Sequence, residues 1–237
     1  MARKRMSDAI VADFLLQIGA GDIPEGSPMP TEATLRADYG VSRSVVREAI
    51  GALAAKGFIR VSQGSTSTVS PRNQWHVLDP VFLELNSGTE YFTHLQQARE
   101  LLEPQIAGLA ATNALRDDLT ELEALQRELD VVTDPATHAK LDIAFHQAIA
   151  AATKNPVVAS LHEMISGLGY RSRTQSAIVP GAVDRARFWH HRILESLVAQ
   201  DVSGAESAMR LHLRQVRDEL TLAEPLGRER GAPNNDL

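Results

Sequence analysis

Ser42-Arg43-Ser44-Val45-Val46-Arg47-Glu48-Ala49-Ile50, running on through Leu53 to Gly57, is the stretch on which the fold turns. Val46, Ala49, Ile50 and Leu53 recur at three- and four-residue intervals, which puts them on one face of a helix. Ser42 stands where an N-cap is needed, and Gly57 where a helix terminates in the left-handed conformation. Arg43 and Arg47 are four apart and share a different face, with the short donors Ser42 and Ser44 at its start. A recognition helix has this layout: apolar toward the body of its domain, with donors and arginines near its N-terminus toward the major groove. Arginine can form paired bonds to guanine O6 and N7, each worth about 1–3 kcal/mol of base discrimination. A solvated Arg/Glu face on an ordinary surface helix would use the same residues, so the neighbouring elements decide.

Upstream, Ser7 can cap a helix carrying Ile10, Val11, Phe14, Leu15 and Ile18, closed near Gly19 and Gly21. Pro24, Gly26, Pro28 and Pro30 mark a stiff loop. Thr31 opens a short helix through Tyr39, which Gly40 stops. Downstream, Phe58–Val61 and Thr66–Ser70 read as two strands joined by Ser62-Gln63-Gly64-Ser65. Three helices and a hairpin within residues 1–71 make a winged helix-turn-helix, a DNA-binding head. Residues 72–78 form a linker whose Trp75 points to docking rather than free movement. From Asp79 onward only helical periodicity is present, over 79–87, 91–114, 117–130, 135–152, 155–174, 182–200 and 202–222. Asp79-Pro80, Asp134-Pro135 and Asn155-Pro156 each pair an N-cap residue with proline in the first turn. The fold class is therefore mainly α: a winged head, then an all-helical antiparallel bundle over 79–223. Residues 224–237 lack periodicity and read as a disordered tail.

Composition agrees. Hydrophobic residues make up 43% and charged residues 23%, as in globular chains, so most of the sequence should fold. There is no cysteine, which leaves only His, Asp and Glu as strong metal ligands. No run of 18 apolar residues suggests a membrane span, and Asp8 and Asp13 interrupt what would be a signal-peptide core, so a cytoplasmic location is expected. The net charge of −6 divides into +2 over residues 1–72 and −8 over the rest, a mildly basic head on an acidic body.

In the body, Asp142 and His146 lie one turn apart on one helix face, beside the core-facing Leu141, Phe145 and Ala148. His190 precedes Ile193, Leu194 and Leu197 at the edge of an apolar stripe, and His212 sits between Met209, Leu213 and Val216. One such histidine is usually a hydrogen-bonded core residue. Together, three His and one Asp from three helices suit a divalent cation such as Zn²⁺, Ni²⁺ or Mn²⁺. A structural cluster without metal, a regulator with the cation as its signal, and a metallohydrolase activating water on the same site are the alternatives. His191 reads as a surface residue, and His76, His94, His138 and His162 show no comparable company.

The stretch Gly40 to Ile50, with Leu53, Gly57, Gly26 and Pro30-Thr31-Glu32, resembles the GntR family of transcription regulators. The resemblance implies that Arg43, Ser44 and Arg47 contact bases or phosphates and that Gln63-Gly64 approaches the minor groove. Ala33 stands where many members have arginine. Asp142-x-x-Phe145-His146, His190 with Ile193-Leu194 and Asp201, and Met209-x-x-His212-Leu213 resemble the FCD-type effector domain of the FadR-like branch. Arg99 with Leu102-Glu103 and Ala110-Ala111 resembles an earlier helix of that domain. By this resemblance Asp142, His146, His190 and His212 hold a metal ion, and Arg99 binds the carboxylate of a small organic-acid effector. From the residues alone, Arg99 could equally pair with Glu103 on a helix surface. The linker Pro71-Arg72-Asn73-Gln74-Trp75 is similar to that of members responding to sugar acids such as galactonate. The expected assembly is a homodimer on a near-palindromic operator, acting as a repressor.

Overall fold

The computed structural model describes residues 5–62, 66–86, 90–166 and 170–230. They fall into two compact units, Met1–Thr93 and His94–Leu237.

The first unit holds α1 (Met6–Ala20), α2 (Glu32–Tyr39) and α3 (Arg43–Ala55), followed by β1 (Ile59–Arg60) and β2 (Thr68–Val69). The strands pair antiparallel, Ile59 with Val69 and Arg60 with Thr68, and Pro28 bridges to Thr68 on the other side. The caps of α2 and α3 are where local chemistry put them, whereas Ser7, expected to cap α1, lies buried inside that helix and Arg5 stands at its N-cap. Thr31 Oγ1 accepts from Thr34 N at 3.1 Å and Ser42 Oγ from Val45 N at 3.5 Å, while Gly40, at φ 62°, ends α2. Phe14, Leu15 and Ile18 of α1 are buried, as are Leu35 of α2 and Val46, Ala49 and Leu53 of α3. Ile50, expected on the same stripe, is half-buried. The paired strands are shorter than the hydrophobic runs suggested. Residues 63–65 of the hairpin, including the candidate wing residues Gln63 and Gly64, lie outside the described residues.

The linker docks on this unit. Trp75 is buried, donates its Nε1–H to the Ser70 carbonyl at 2.8 Å, and packs at 5.6 Å between ring centroids from Phe58. Phe58 in turn meets Phe82 of α4 (Pro80–Leu85) at 4.7 Å. Asp79 caps α4 through Phe82 N at 3.1 Å and pairs with Lys56, and Asn86 donates to the Leu15 carbonyl of α1 at 3.3 Å. The helix expected to open the C-terminal domain thus packs on the head. Its apolar residues Phe82 and Leu83 find their burial there.

The second unit is all-helical among its described residues. Most of α5 (Glu90–Asn113) belongs to it, followed by α6 (Arg116–Val131), α7 (Pro135–Ala152), α8 (Pro156–Ser166), α9 (Tyr170–Ala177), α10 (Ala182–Val198) and α11 (Val202–Arg230). Asp134 caps α7 and Asn155 caps α8, accepting at 2.8 and 3.0 Å from Thr137 N and Val157 N. A shared core joins Ala107 and Ala110 of α5, Leu122 and Leu129 of α6, Phe145 and Ile149 of α7, Ile193 of α10 and Leu213 of α11. The helix expected over 155–174 is described over Pro156–Ser166 (α8) and Tyr170–Ala177 (α9), and residues 167–169 between them lie outside the described residues. α11 runs on to Arg230, past its expected end at 222, through a stretch rich in the helix formers Ala, Leu, Glu and Arg.

Candidate functional site

On α3 the two arginines point away from the buried stripe. Their side chains are 69% (Arg43) and 68% (Arg47) exposed. Both lean on one carboxylate: Arg43 Nε donates to Glu32 Oε2 at 3.0 Å, and Arg47 Nε lies 3.6 Å from Glu32 Oε1. Ser42 and Ser44 share a hydrogen bond at 2.8 Å at the start of the helix. Four of the six residues predicted to meet DNA therefore form one exposed group. Glu32, which sequence reasoning did not single out as their partner, holds both guanidinium groups in register.

In the second unit α7, α10 and α11 bring Asp142, His146, His190 and His212 together, all buried, with one donor atom from each within 4.8 Å of every other. Three Nε2 atoms converge: His146 to His212 at 3.2 Å and His190 to His212 at 3.3 Å. Asp142 reaches His190 Nε2 through Oδ1 at 3.2 Å and His146 Nε2 through Oδ2 at 4.0 Å. A metal held at ordinary Zn–N distances places tetrahedral donors about 3.3 Å apart, so three of these four spacings fit a common cation. The Nδ1 atoms of His190 and His212 are buried with no hydrogen-bond partner among the described residues.

The surroundings set the protonation states. His146 Nδ1 lies 2.8 Å from Glu103 Oε2, a carboxylate–imidazole pair that keeps the proton on Nδ1 and turns the Nε2 lone pair toward the cluster. Glu103 also accepts from Arg99 Nε at 2.6 Å and Nη2 at 3.4 Å, and His162 Nε2 is 3.7 Å from its other oxygen. Arg99 and Glu103 are the pair that the i,i+4 spacing suggested, but buried in the bundle, not spread on its surface. Burial pushes the His146 imidazole down to about 4, against the pull of Glu103 and Asp142. Burial and then the His190 and His146 rings drive His212 well below its usual range. Burial opposes the charge on Asp142, yet Arg173 and the nearby imidazoles hold its carboxyl well below the ordinary carboxylate range. Neutral imidazoles beside an ionised carboxylate are the states that ligate a metal. The donor set fits a divalent cation.

Sequence reasoning missed three neighbours. Arg173 of α9 donates Nε to Asp142 Oδ2 and lines, with Arg99, His138, Asp142, Ser176, His212 and Gln215, a small cavity of about 20 Å³. His138, one turn before Asp142, is buried with neither ring nitrogen bonded among the described residues. His162 joins Glu103 and His146 in a second close group of potential ligands. Nothing in the periodicity marked Arg173. His138 and His162 acquire their company only from helices distant in the chain.

Residues 6–69 match the family described as bacterial regulatory proteins, gntR family, and residues 94–215 match the FCD domain. The chain belongs to the gntR family. Its head and body are those of a DNA-binding transcription regulator with an effector domain, not of an enzyme. It is 31% identical over 212 residues to the galactonate operon transcriptional repressor of Escherichia coli, covering 85% of this chain and 91% of that one. It is likewise 31% identical over 221 residues to the Exu regulon transcriptional regulator of the same species, covering 90% and 84%. A solved structure, Lar of Listeria monocytogenes, matches in fold at a TM-score of 0.66 and 17% identity, covering 94% of this chain and all of that one. No helix among the described residues is long and apolar enough to cross a membrane. A DNA-binding regulator of this bacterial family works in the cytoplasm.

Proposed function

We propose that this gntR-family regulator, of the FadR-like branch, represses transcription from a near-palindromic operator as a homodimer and is controlled by a small organic acid. The acid binds in the helical body beside a divalent cation held by Asp142, His146, His190 and His212. The observation that carries the reading is the convergence of three buried Nε2 atoms and one carboxylate at spacings that suit a single cation. Bound there, the cation would act as a Lewis acid toward a carboxylate oxygen. Arg99 lines the adjoining cavity and uses three of its five N–H donors on Glu103 and Gln96, which leaves two for the acid. The polar wall of Ser176, Gln215 and His138 suits an acid that carries hydroxyl groups, and two relatives are named for galactonate and Exu regulation. A sugar acid such as galactonate is accordingly the favoured class. On DNA, Ser42, Arg43, Ser44 and Arg47 enter the major groove, and the wing tip at Gln63-Gly64 approaches the minor groove. The acid acts by binding more tightly to one arrangement of the protein than to another, and this difference is all that can shift the affinity for the operator.

The test combines elemental analysis of the purified protein with gel shifts on its own promoter region, with and without chelator, across galactonate, other sugar acids and simple carboxylates. Stoichiometric metal, and release of DNA by an acid only when metal is present, is the expected result. Protein free of metal, or DNA binding indifferent to every acid, overturns the reading. Release by chelator alone, with no acid effect, makes the cation the signal instead.

A further inference from the structure

We infer that the effector is a monocarboxylate with hydroxyl groups along its chain, bound by His138, Gln215 and Glu219, whose acceptor atoms turn away a second carboxylate. The inference rests on the metal-and-acid reading above and deepens it. His138 is 5% exposed and lines the cavity, and neither of its ring nitrogens has a hydrogen-bond partner among the described residues. Burial holds its imidazole below the usual range, and a neutral ring carries one donor and one acceptor. Gln215 directs its amide nitrogen to the Ala182 carbonyl at 3.5 Å, which leaves Oε1 buried without a partner among the described residues. Exchanging the two ends of the amide would set two carbonyl oxygens against each other. Glu219, 3% exposed, lines the same cavity. It takes Arg185 Nε at 2.9 Å and Nη2 at 2.7 Å, both on Oε1, and its Oε2 accepts no hydrogen bond among the described residues.

The register of these residues fixes how an acid would lie. His138 stands one turn before Asp142 on α7, and Gln215 and Glu219 follow His212 on α11. At about 1.5 Å per residue the latter two lie about 4.5 and 10.5 Å beyond that candidate ligand along the helix. A carboxylate at the cation and Arg99 therefore sends the rest of the acid past Gln215 toward Glu219. One water cannot serve polar atoms strung over that length. A hydroxyl both donates and accepts, so a row of them matches either ring nitrogen of His138 and the oxygens of Gln215 and Glu219. A second carboxylate brings only acceptors, and a charge like that of Glu219. An alkyl chain leaves the same atoms dry and unpaired. The cavity, at about 20 Å³, has room for about one water-sized group, so the chain lodges by moving part of the wall. The α9–α10 connection is the part free to move: Val179 and Ala182 pack there as a pair apart from the shared core, whereas α7 and α11, which carry the three residues, contribute to that core.

The experiment uses full-length protein loaded with Zn²⁺ and titrated by calorimetry with galactonate and gluconate, with their dicarboxylate counterparts galactarate and glucarate, and with hexanoate, equal in chain length but without hydroxyls. The better hydroxy acid should bind at least about tenfold more tightly than its dicarboxylate counterpart and than hexanoate. His138→Phe and Gln215→Leu should each lower the preference over hexanoate about tenfold. Glu219→Gln, which removes the charge, should narrow the preference over the dicarboxylate. Zinc content and the melting temperature without acid, measured for every variant, separate a lost contact from a lost cation or a lost fold. Should one variant fail to fold, the other two carry the comparison. Equal binding of hexanoate and the hydroxy acids by the unaltered protein overturns the inference and leaves the metal-and-acid reading standing. Equal or tighter binding of the dicarboxylates overturns the exclusion, and unaltered preferences in every folded variant overturn the residues assigned. Binding of none of the acids overturns the inference and the reading beneath it together.

Discussion

Replacing Glu103 with alanine removes the carboxylate against which three buried side chains lie, Arg99, His146 and His162. Arg99 donates to it at 2.6 and 3.4 Å and His146 Nδ1 lies at 2.8 Å, while both members of the Arg99–Glu103 pair are 2% exposed or less. Water cannot take over the lost bonds at that depth, and Gln96, at 3.4 Å, offers Arg99 only a neutral oxygen. Removing one partner of a buried ion pair costs about 3–5 kcal/mol, because the other charge is stranded. Against a usual domain stability of about 5–15 kcal/mol this is a large share, and at a urea slope near 2 kcal/mol/M it moves the midpoint down by about 1.5–2.5 M. Glu103→Gln separates the two duties of the residue. Its amide oxygen still accepts from Arg99, so the stability loss should be smaller. It no longer presents an anion to His146 Nδ1, so the imidazole tautomer is freed and metal affinity should fall about 10–100-fold, as in the alanine variant. Urea titrations by circular dichroism in chelator, with metal retention measured after dialysis, check both parts. A midpoint shift below about 0.5 M for Glu103→Ala, with metal retention intact, would refute the claim that Glu103 anchors the cluster.

The geometry yields three further expected outcomes. Arg47→Ala and Arg43→Ala should each weaken specific operator binding about 5- to 150-fold while leaving non-specific binding nearly unchanged, as read by gel shift at fixed salt; full retention of affinity in both removes α3 from the DNA interface. In chelator, the helical unit should lose stability as pH falls. The His146 pKa is about 4 when folded against 6.5 for a free imidazole, so the unfolded chain takes up the proton first. Its contribution is whole above pH 6.5 and fades toward pH 4, by on the order of 3 kcal/mol, and a urea midpoint that is flat or rising over that range contradicts the buried neutral imidazole. Gly57→Ala should destabilise the head by about 1–3 kcal/mol, since Gly57 sits at φ 75° and a Cβ there would lie 2.0 Å from the Gln74 carbonyl oxygen; wild-type melting behaviour would show that the linker does not dock as described.

The head was readable because its signals are local. A capping serine or threonine, a terminal glycine and a three-four apolar rhythm act within a few residues of where they stand, and α2 and α3 conform to them closely, while the two strands pair over fewer residues than their apolar runs. The three Asx-Pro helix starts succeeded for the same reason. The four candidate ligands were legible because two share one helix turn and the others lie on apolar stripes. Tertiary packing decides the rest, and local signals do not carry it. Glu103 looked like a surface partner for Arg99, and only the surrounding helices bury the pair and join it to His146. Arg173 sits in the polar run Tyr170–Ala177, whose sequence gives no hint that one arginine turns inward to Asp142. Phe82 and Leu83 advertised burial without saying against which unit.

A body whose only task was to hold two heads together would have no use for this chemistry. Arg99, Glu103, Asp142 and Arg173 are all buried, and ions taken from water regain at best part of the lost hydration through their mutual attraction. Apolar residues of similar volume would stabilise such a bundle as well or better. The Nδ1 atoms of His190 and His212 and the Arg173 Nη2, without partners among the described residues, make the arrangement more costly still, since each is a polar atom removed from water with nothing in return. Such a centre gains a physical rationale when a ligand completes it. What the centre presents then specifies that ligand: three converging Nε2 atoms for a cation, and spare guanidinium donors for an anion beside it.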